Sequence, residues 1–384
     1  MESSQSCSPV QCREPNPRRK STNVRGAFKV NLEPHSENRE PPRVSDKVKV
    51  AVLGVGALGQ HHARIYAELA AAGMVEFVGL FDADGIRAKE IASKHDIPVF
   101  PSGLAAGEAA DALSIVTPTS THFDLASELL KSGKHVLVEK PMTDSAEEAA
   151  DLVRFAQEAD RVLQVGHVER FNPVFDYLQK VIKQPRFIET HRLSPYPARS
   201  IDIGVVLDLM IHDLDIVLAF VDSPIKEVDG VGVPVLSASE DIANARLKFE
   251  NGCVANLTAS RVSPERMRKI RVFSAGEQTS YVSLDYRKQE GFIYRIAEDS
   301  EEKSSLWKKL LHAKKSAIVS EFGGKRIVRE PVPIEKDEPL KLELQHFVEC
   351  VREKQTPMVS GESAKQALDV ALEITRQIQN LKTV

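Results

Sequence analysis

The stretch Val48-Lys49-Val50-Ala51-Val52-Leu53-Gly54-Val55-Gly56-Ala57-Leu58-Gly59 decides how the first half of this chain is read. An apolar run of strand length passes directly into Gly-x-Gly-x-x-Gly, and residues 60–72 then carry helical periodicity. Strand, glycine turn and helix in that order raise the motif above a chance match. Gly54 permits the tight turn, Gly56 lets backbone approach a pyrophosphate, and Gly59 lets helix and strand pack closely, with Ala57 and Leu58 completing the loop. The helix N-terminus then offers free N–H groups and a positive dipole end to an anion. The alternative is a set of glycines at an ordinary strand–helix turn.

Outward from this motif the pattern repeats. Apolar runs at 75–81, near Val99, and at 112–117, 135–138 and 162–166 alternate with helical stretches at 86–95, 123–132 and 146–159. Short runs without polar alternation are the mark of parallel strands buried on both faces. Residues 47–166 are therefore expected to form a doubly wound α/β domain of Rossmann type, binding NAD(P). Asp82 follows Gly59 by 23 residues, near the offset of about 20 at which a carboxylate accepts hydrogen bonds from an adenosine ribose. It would repel a 2′-phosphate, which favours NAD over NADP, although Arg87 lies close by. The competing reading of Asp82 is an N-cap for the helix that starts near Ile86.

Beyond residue 167 the texture changes to strand-like segments at 187–192, 227–235, 241–249, 254–261, 269–274 and 279–286. Glu250-Asn251-Gly252 is a strong hairpin turn, because Asn-Gly tolerates the positive φ that a tight turn needs. Residues 167–384 are expected as an α+β domain with a large, mainly antiparallel open sheet covered by helices on one face. Helical periodicity returns over 340–381, and these last helices are candidates to pack back on the first domain. Residues 1–46, rich in Ser, Pro, Arg and Glu, read as a disordered tail or a docking arm, and 298–315 as a charged excursion.

Composition narrows the function. The 384 residues suffice for two domains, and 42% apolar with 28% charged residues exclude collagen, coiled coil and wholesale disorder. With 51 basic and 55 acidic side chains the net charge is −4, so no nucleic-acid partner is expected. The longest apolar stretch, 204–221, contains Asp208, His212, Asp213 and Asp215, so no membrane span is expected. Four Cys without a CxxC pair, and no secretory h-region at the start, point to a reducing, cytoplasmic location. There is no HExxH or Cys-His cluster, and adjacent His61 and His62 cannot share a helix face, so no metal site is expected.

Two further groups carry chemistry. Glu139-Lys140-Pro141 ends a strand run, and ligands of open α/β sheets bind beyond the carboxyl ends of strands, so Lys140 is placed to orient a reacting hydroxyl. At about 100° per residue, Asp208, His212 and Asp215 form one stripe of a helix, with Met210, Leu214, Val217 and Val221 opposite. Two carboxylates beside an imidazole make a candidate base, a solvated polar face being the alternative. Asp213 falls nearer the apolar side, where capping or a buried hydrogen bond is expected.

With VAVLGVGALGQHHA, SIVTPTSTHFDLA, GKHVLVEKP, VGHVERFNP and VVLDLMIHDLDIVL in this order, the chain resembles the Gfo/Idh/MocA oxidoreductase family. The resemblance covers everything except the tail. It implies a catalytic group of Lys140, Asp208 and His212, with hydride transfer to nicotinamide, His212 or Lys140 as the base, and Asp208 holding the imidazole. It also places Thr117, Pro118, His122 and Glu139 along the nicotinamide half of the cofactor, and implies homodimers or homotetramers.

The segment from Arg186 to Leu218 is most similar to the branch acting on nucleotide-linked amino sugars, the UDP-N-acetylglucosamine 3-dehydrogenases of lipid A precursor synthesis. This implies a 3-keto product and a partner aminotransferase. Arg170 and Asn172 of ERFNP either line the cleft or join the domains; Arg192, Arg199, Arg261 and Arg266 are candidates to receive a diphosphate through bidentate bonds, or are surface arginines. Oxidation of a free sugar, inositol or related diol, and a non-catalytic dinucleotide sensor, remain the alternatives.

Overall fold

A computed structural model describes residues 47–196, 203–274, 280–296, 317–322 and 325–381. The expected tail over 1–46, the excursion over 298–315 and Arg199 lie outside the described residues.

The first domain is a five-stranded parallel sheet made by β1 (Val48–Leu53), β2 (Val75–Phe81), β3 (Ala112–Ile115), β4 (His135–Glu139) and β5 (Leu163–Gly166), in the order β2-β1-β3-β4-β5. Alternation along β1 shows why both faces must be covered: Val50 and Val52 enter one buried cluster and Ala51 and Leu53 the other. The covering helices are α1 (Gly59–Ala71), α2 (Gly85–His95), α3 (Gly103–Ala109), α4 (His122–Lys131) and α5 (Ala146–Ala159). Local chemistry sets their starts, with Asp84, Ser102 and Ser145 side chains accepting first-turn N–H groups of α2, α3 and α5. The cap of α2 is thus Asp84, not Asp82. The strand expected near Val99 is reduced to a single bridge to Leu80, because Pro98 and Pro101 on either side supply no N–H to a ladder. Helix α3, rich in Ala and Gly, has too weak an apolar period to be read from sequence.

After α6 (Pro173–Val181) comes the second sheet: β6 (Pro185–Leu193), β7 (Ile225–Val233), β8 (Ile242–Phe249), β9 (Val254–Ser260), β10 (Met267–Ser274), β11 (Ser280–Asp285), β12 (Glu290–Ile296), β13 (Ala317–Phe322) and β14 (Lys325–Pro331). Among the described residues it has nine strands, in the order β13-β14-β12-β11-β10-β6-β9-β8-β7, all antiparallel except the β6–β9 pair. The Asn251-Gly252 turn joins β8 to β9, with Gly252 at φ +83°. Strands β12 to β14 extend the sheet beyond the sequence expectation.

One face is covered by α7 (Ile211–Val221) and, beyond α8 (Pro339–Glu353), by α9 (Gly361–Leu381), while α8 itself packs against α1 and β1. Leu344, Phe347 and Val348 of α8 share a core with Val50 and Ile65, and Val165 of β5 donates to the Val359 carbonyl just before α9. The end of the chain therefore rests on the first sheet.

Candidate active site

Because the strands of the first sheet are parallel, every loop after a strand emerges along one edge. Across that edge lie Asp82 after β2, the glycine loop after β1, Thr117 after β3, Lys140 after β4 and His167 after β5. Four strand spacings of about 4.8 Å make this a row roughly 19 Å long.

One end of the row is a cradle. Gly54 sits at φ +86°, where a Cβ would lie 2.6 Å from the Val116 carbonyl oxygen, and a Cβ on Gly59 would strike the Gly54 oxygen. A Cβ on Gly56 would meet nothing nearer than an Arg87 Nη1 at 3.7 Å, so the backbone there faces open space. Helix α1 has no side-chain cap and no acid in its first turn, which leaves its positive end available to an anion. Asp82 accepts from Val55 N at 2.6 Å and from Asp84 N at 2.8 Å, tying the second strand end to the glycine loop. Further along, Thr117 packs beside Gly54 and Pro118 is exposed. The two ring nitrogens of buried His122 lie 2.9 Å from the carbonyl oxygens of Pro141 and Thr117, so this side chain joins the loops after β3 and β4. Glu139 is also buried, 3.2 Å from His62 Nε2 of α1.

At the other end, the Lys140 amino group donates to the Asp208 carbonyl oxygen at 2.7 Å and makes a longer contact of 3.4 Å to its carboxylate. Asp208 does not lie on a regular α turn. Residues Val206–Met210 form a π turn, closed by the Ile211 N–H on the Val206 carbonyl five residues back. The wider turn shifts Asp208 out of phase with the α-helical His212. The expected stripe is thereby broken: Asp208 faces Lys140, and the His212 ring instead meets His167 edge to face, with centroids 6.0 Å apart and planes at 88°. Burial, then Lys140, Arg192, His167 and Arg268, push the His212 imidazole well below its ordinary pKa, so it is neutral near pH 7.

Residues 48–167 match the model of an oxidoreductase family with an NAD-binding Rossmann fold, and residues 180–281 match the GFO/IDH/MocA C-terminal domain. The chain is 35% identical over 328 residues to a UDP-N-acetylglucosamine 3-dehydrogenase of Acidithiobacillus ferrooxidans, covering 85% of this chain and 96% of that one. This chain belongs to the Gfo/Idh/MocA oxidoreductase family. It is 30% identical over 354 residues to the scyllo-inositol 2-dehydrogenase (NAD(+)) of Bacillus subtilis, covering 87% and 95% of the two chains. A solved structure of the Acidithiobacillus ferrooxidans enzyme superposes with TM-score 0.76 at 35% identity, covering 87% of this chain and 98% of that one. As a Gfo/Idh/MocA protein it is a dehydrogenase with NAD as cofactor. The open backbone at Gly56, the uncapped α1 and the Asp82 carboxylate fit that dinucleotide.

In this Gfo/Idh/MocA chain the expected substrate arginines have a different use. Arg192 donates twice to Asp213, at 2.8 and 3.1 Å, and once to Glu169 at 3.1 Å, all in the interior. Asp213 thus makes the buried hydrogen bond anticipated for it. Arg261, with no exposed surface, is held by Asp241 at 2.8 Å, the Ile203 carbonyl, Ser237 and Ser239. Arg170 pairs with Asp215 at 3.3 Å and reaches the Met358 carbonyl. The Asn172 side-chain Oδ1 accepts from Val174 N and caps α6, while its Nδ2 donates to Glu169 and to the Tyr286 carbonyl. These four are tied up inside the second domain instead of presenting donors to a diphosphate; leaving any of their buried charges unpaired would be costly. Arg266, in the turn before β10, stays exposed.

Sequence reading missed His167 and Glu169. His167 is the residue that follows β5, so counting strand ends could have exposed it; Glu169 gathers Arg192 and Arg268 from two distant strands and has no local signal. It also missed Glu343, a fully buried α8 carboxyl that burial, with Glu139 and Asp215 nearby, pushes well above its usual range.

Proposed function

We propose that this protein oxidises the C3 hydroxyl of UDP-N-acetylglucosamine to a ketone with NAD. The observation that carries the chemistry is the contact of Lys140 with Asp208 beside a neutral His212. Bound NAD would supply the hydride acceptor. Lys140, whose amino group donates to two oxygens of Asp208, is placed to hold the substrate hydroxyl by hydrogen bonding. His212 is the base: a depressed pKa keeps its ring unprotonated and so able to take the hydroxyl proton at neutral pH. Asp208 anchors Lys140. The roles of Gly54, Gly56, Ala57, Leu58, Gly59, Asp82, Thr117 and Pro118 are to hold the dinucleotide.

Support for the nucleotide sugar comes from the relative of that name, 35% identical over 96% of its length, against 30% for the inositol enzyme. Exposed Arg266 is the basic side chain we assign to the diphosphate. A 3-keto product is the substrate an aminotransferase consumes, which makes such an enzyme the natural pathway partner. Self-association is assigned to the uncovered face of the second sheet, where Phe273, Tyr281 and Tyr294 stack at 4.5 and 4.9 Å.

The test is to incubate pure protein with NAD and, separately, UDP-N-acetylglucosamine, N-acetylglucosamine and scyllo-inositol while following NADH absorbance. NADH growth with the nucleotide sugar and an oxime-trapped 3-ketone are expected. Growth with the free polyol alone overturns the substrate, and tight NAD binding without turnover of any of the three overturns the enzyme reading.

A further inference from the structure

We propose that His167 is the residue that positions His212 and keeps it unprotonated. The inference rests on His212 being the proton acceptor, and it replaces Asp208 in the orienting role. Three observations carry it. First, the π turn has taken Asp208 to Lys140, and no described residue makes a hydrogen bond to the His212 ring. Second, the aromatic partner of that ring is His167, which meets it edge to face at 6.0 Å and 88°. This geometry places the positive edge of one ring on the negative face of the other and fixes orientation without a hydrogen bond. Third, His167 has only 1% of its surface exposed and its own Nδ1 is buried without a partner, so burial alone does not explain a polar side chain here.

The charges around the pair assign the two rings different duties. The charges that weigh most on His212 are cations: Lys140 after β4, Arg192 of β6, His167 after β5 and Arg268 of β10. His167 is faced by Lys140 and by Arg170 of the short turn after β5, but also by Asp215 of α7 and Glu139 of β4. Burial lowers the His167 pKa too, but Asp215 and Glu139 leave it less depressed than His212, and a proton on His167 opposes a second one on His212. As pH falls, His167 is therefore protonated first and His212 is held neutral to lower pH.

The experiment follows His212 directly, by NMR titration of ring-15N-labelled full-length protein, alongside NADH kinetics. In His167→Phe the edge contact survives and the titrating nitrogen is gone: the His212 titration, and the acid limb of kcat/KM, should move up by about 1 pH unit. In His167→Ala the ring also loses its support: kcat at pH 8 should fall by about 10-fold with KM within about twofold, and His167→Phe should recover most of that kcat. A His212 titration unmoved in both variants overturns the proposal, as does His167→Ala with wild-type kcat. Failure of His167→Ala to fold leaves His167→Phe to decide. The NMR arm needs no substrate, so a wild-type protein inactive on UDP-N-acetylglucosamine counts against the proposed function alone.

Discussion

The row of strand-end loops and the interior of the second domain use the same residue types in opposite ways. In that interior each of these arginines has its carboxylate: Arg192 with Asp213 and Glu169, Arg170 with Asp215, Arg261 with Asp241. Along the row, groups are left wanting: α1 uncapped, Gly56 open, the Lys140 carboxylate contact stretched to 3.4 Å, His212 without a hydrogen bond. Saturated charges hold geometry, because moving them strands a buried ion. Unsaturated groups are the ones that still have something to offer a ligand.

The comparison breaks if a saturated charge proves dispensable. Arg192→Met strands Asp213 and leaves Glu169 with Arg268 and Asn172 alone, and should lower unfolding free energy by about 3–5 kcal/mol in denaturant titrations, with activity per folded molecule changed far less. His212→Ala should do the reverse, cutting kcat by about 10²-fold or more while the thermal midpoint stays near wild type. Gly56→Ala fills open space, so fluorescence titration should show NAD affinity lowered by about 10-fold with no loss of stability. Arg266→Ala should raise KM for the nucleotide sugar by about fivefold at constant kcat, and leave any free-polyol activity untouched.

The smallest effect sharpens the contrast through pH. Burial would raise the Glu169 pKa, but Arg192, Arg268 and its hydrogen bonds overcome this and hold it below the ordinary 4.5. Its stabilising contribution is complete above the unfolded value and is lost as pH falls through the folded one. Thermal melts of Glu169→Gln should therefore depend less on pH than wild type between about pH 5 and 3. An unchanged acid slope removes Glu169 from that role.

Much of this was legible because it is local. The glycine loop, Asp82 at a strand end, Lys140 before Pro141 and the Asn251-Gly252 turn each follow from neighbours within a few positions. Strands β1 to β5 were readable because burial on both faces leaves unbroken apolar runs. Strands β12 and β14 were not, since half-exposed strands carry mixed residues that resemble loops. The helix around His212 was legible as a helix but not in phase, because a π turn inserts its extra residue without a compositional mark.

The sequence by itself determined the doubly wound domain, its dinucleotide and the family, through motifs whose meaning lies in adjacent residues. Only the tertiary structure decided which charges are consumed. Arg192 finds Asp213 and Glu169, and Arg268 finds Glu169, across 21, 23 and 99 residues of chain. It likewise decided that the His167 ring meets the His212 ring edge to face. The physical reason is that a charge or an imidazole has no fixed role until burial sets its desolvation cost and folding supplies its partner.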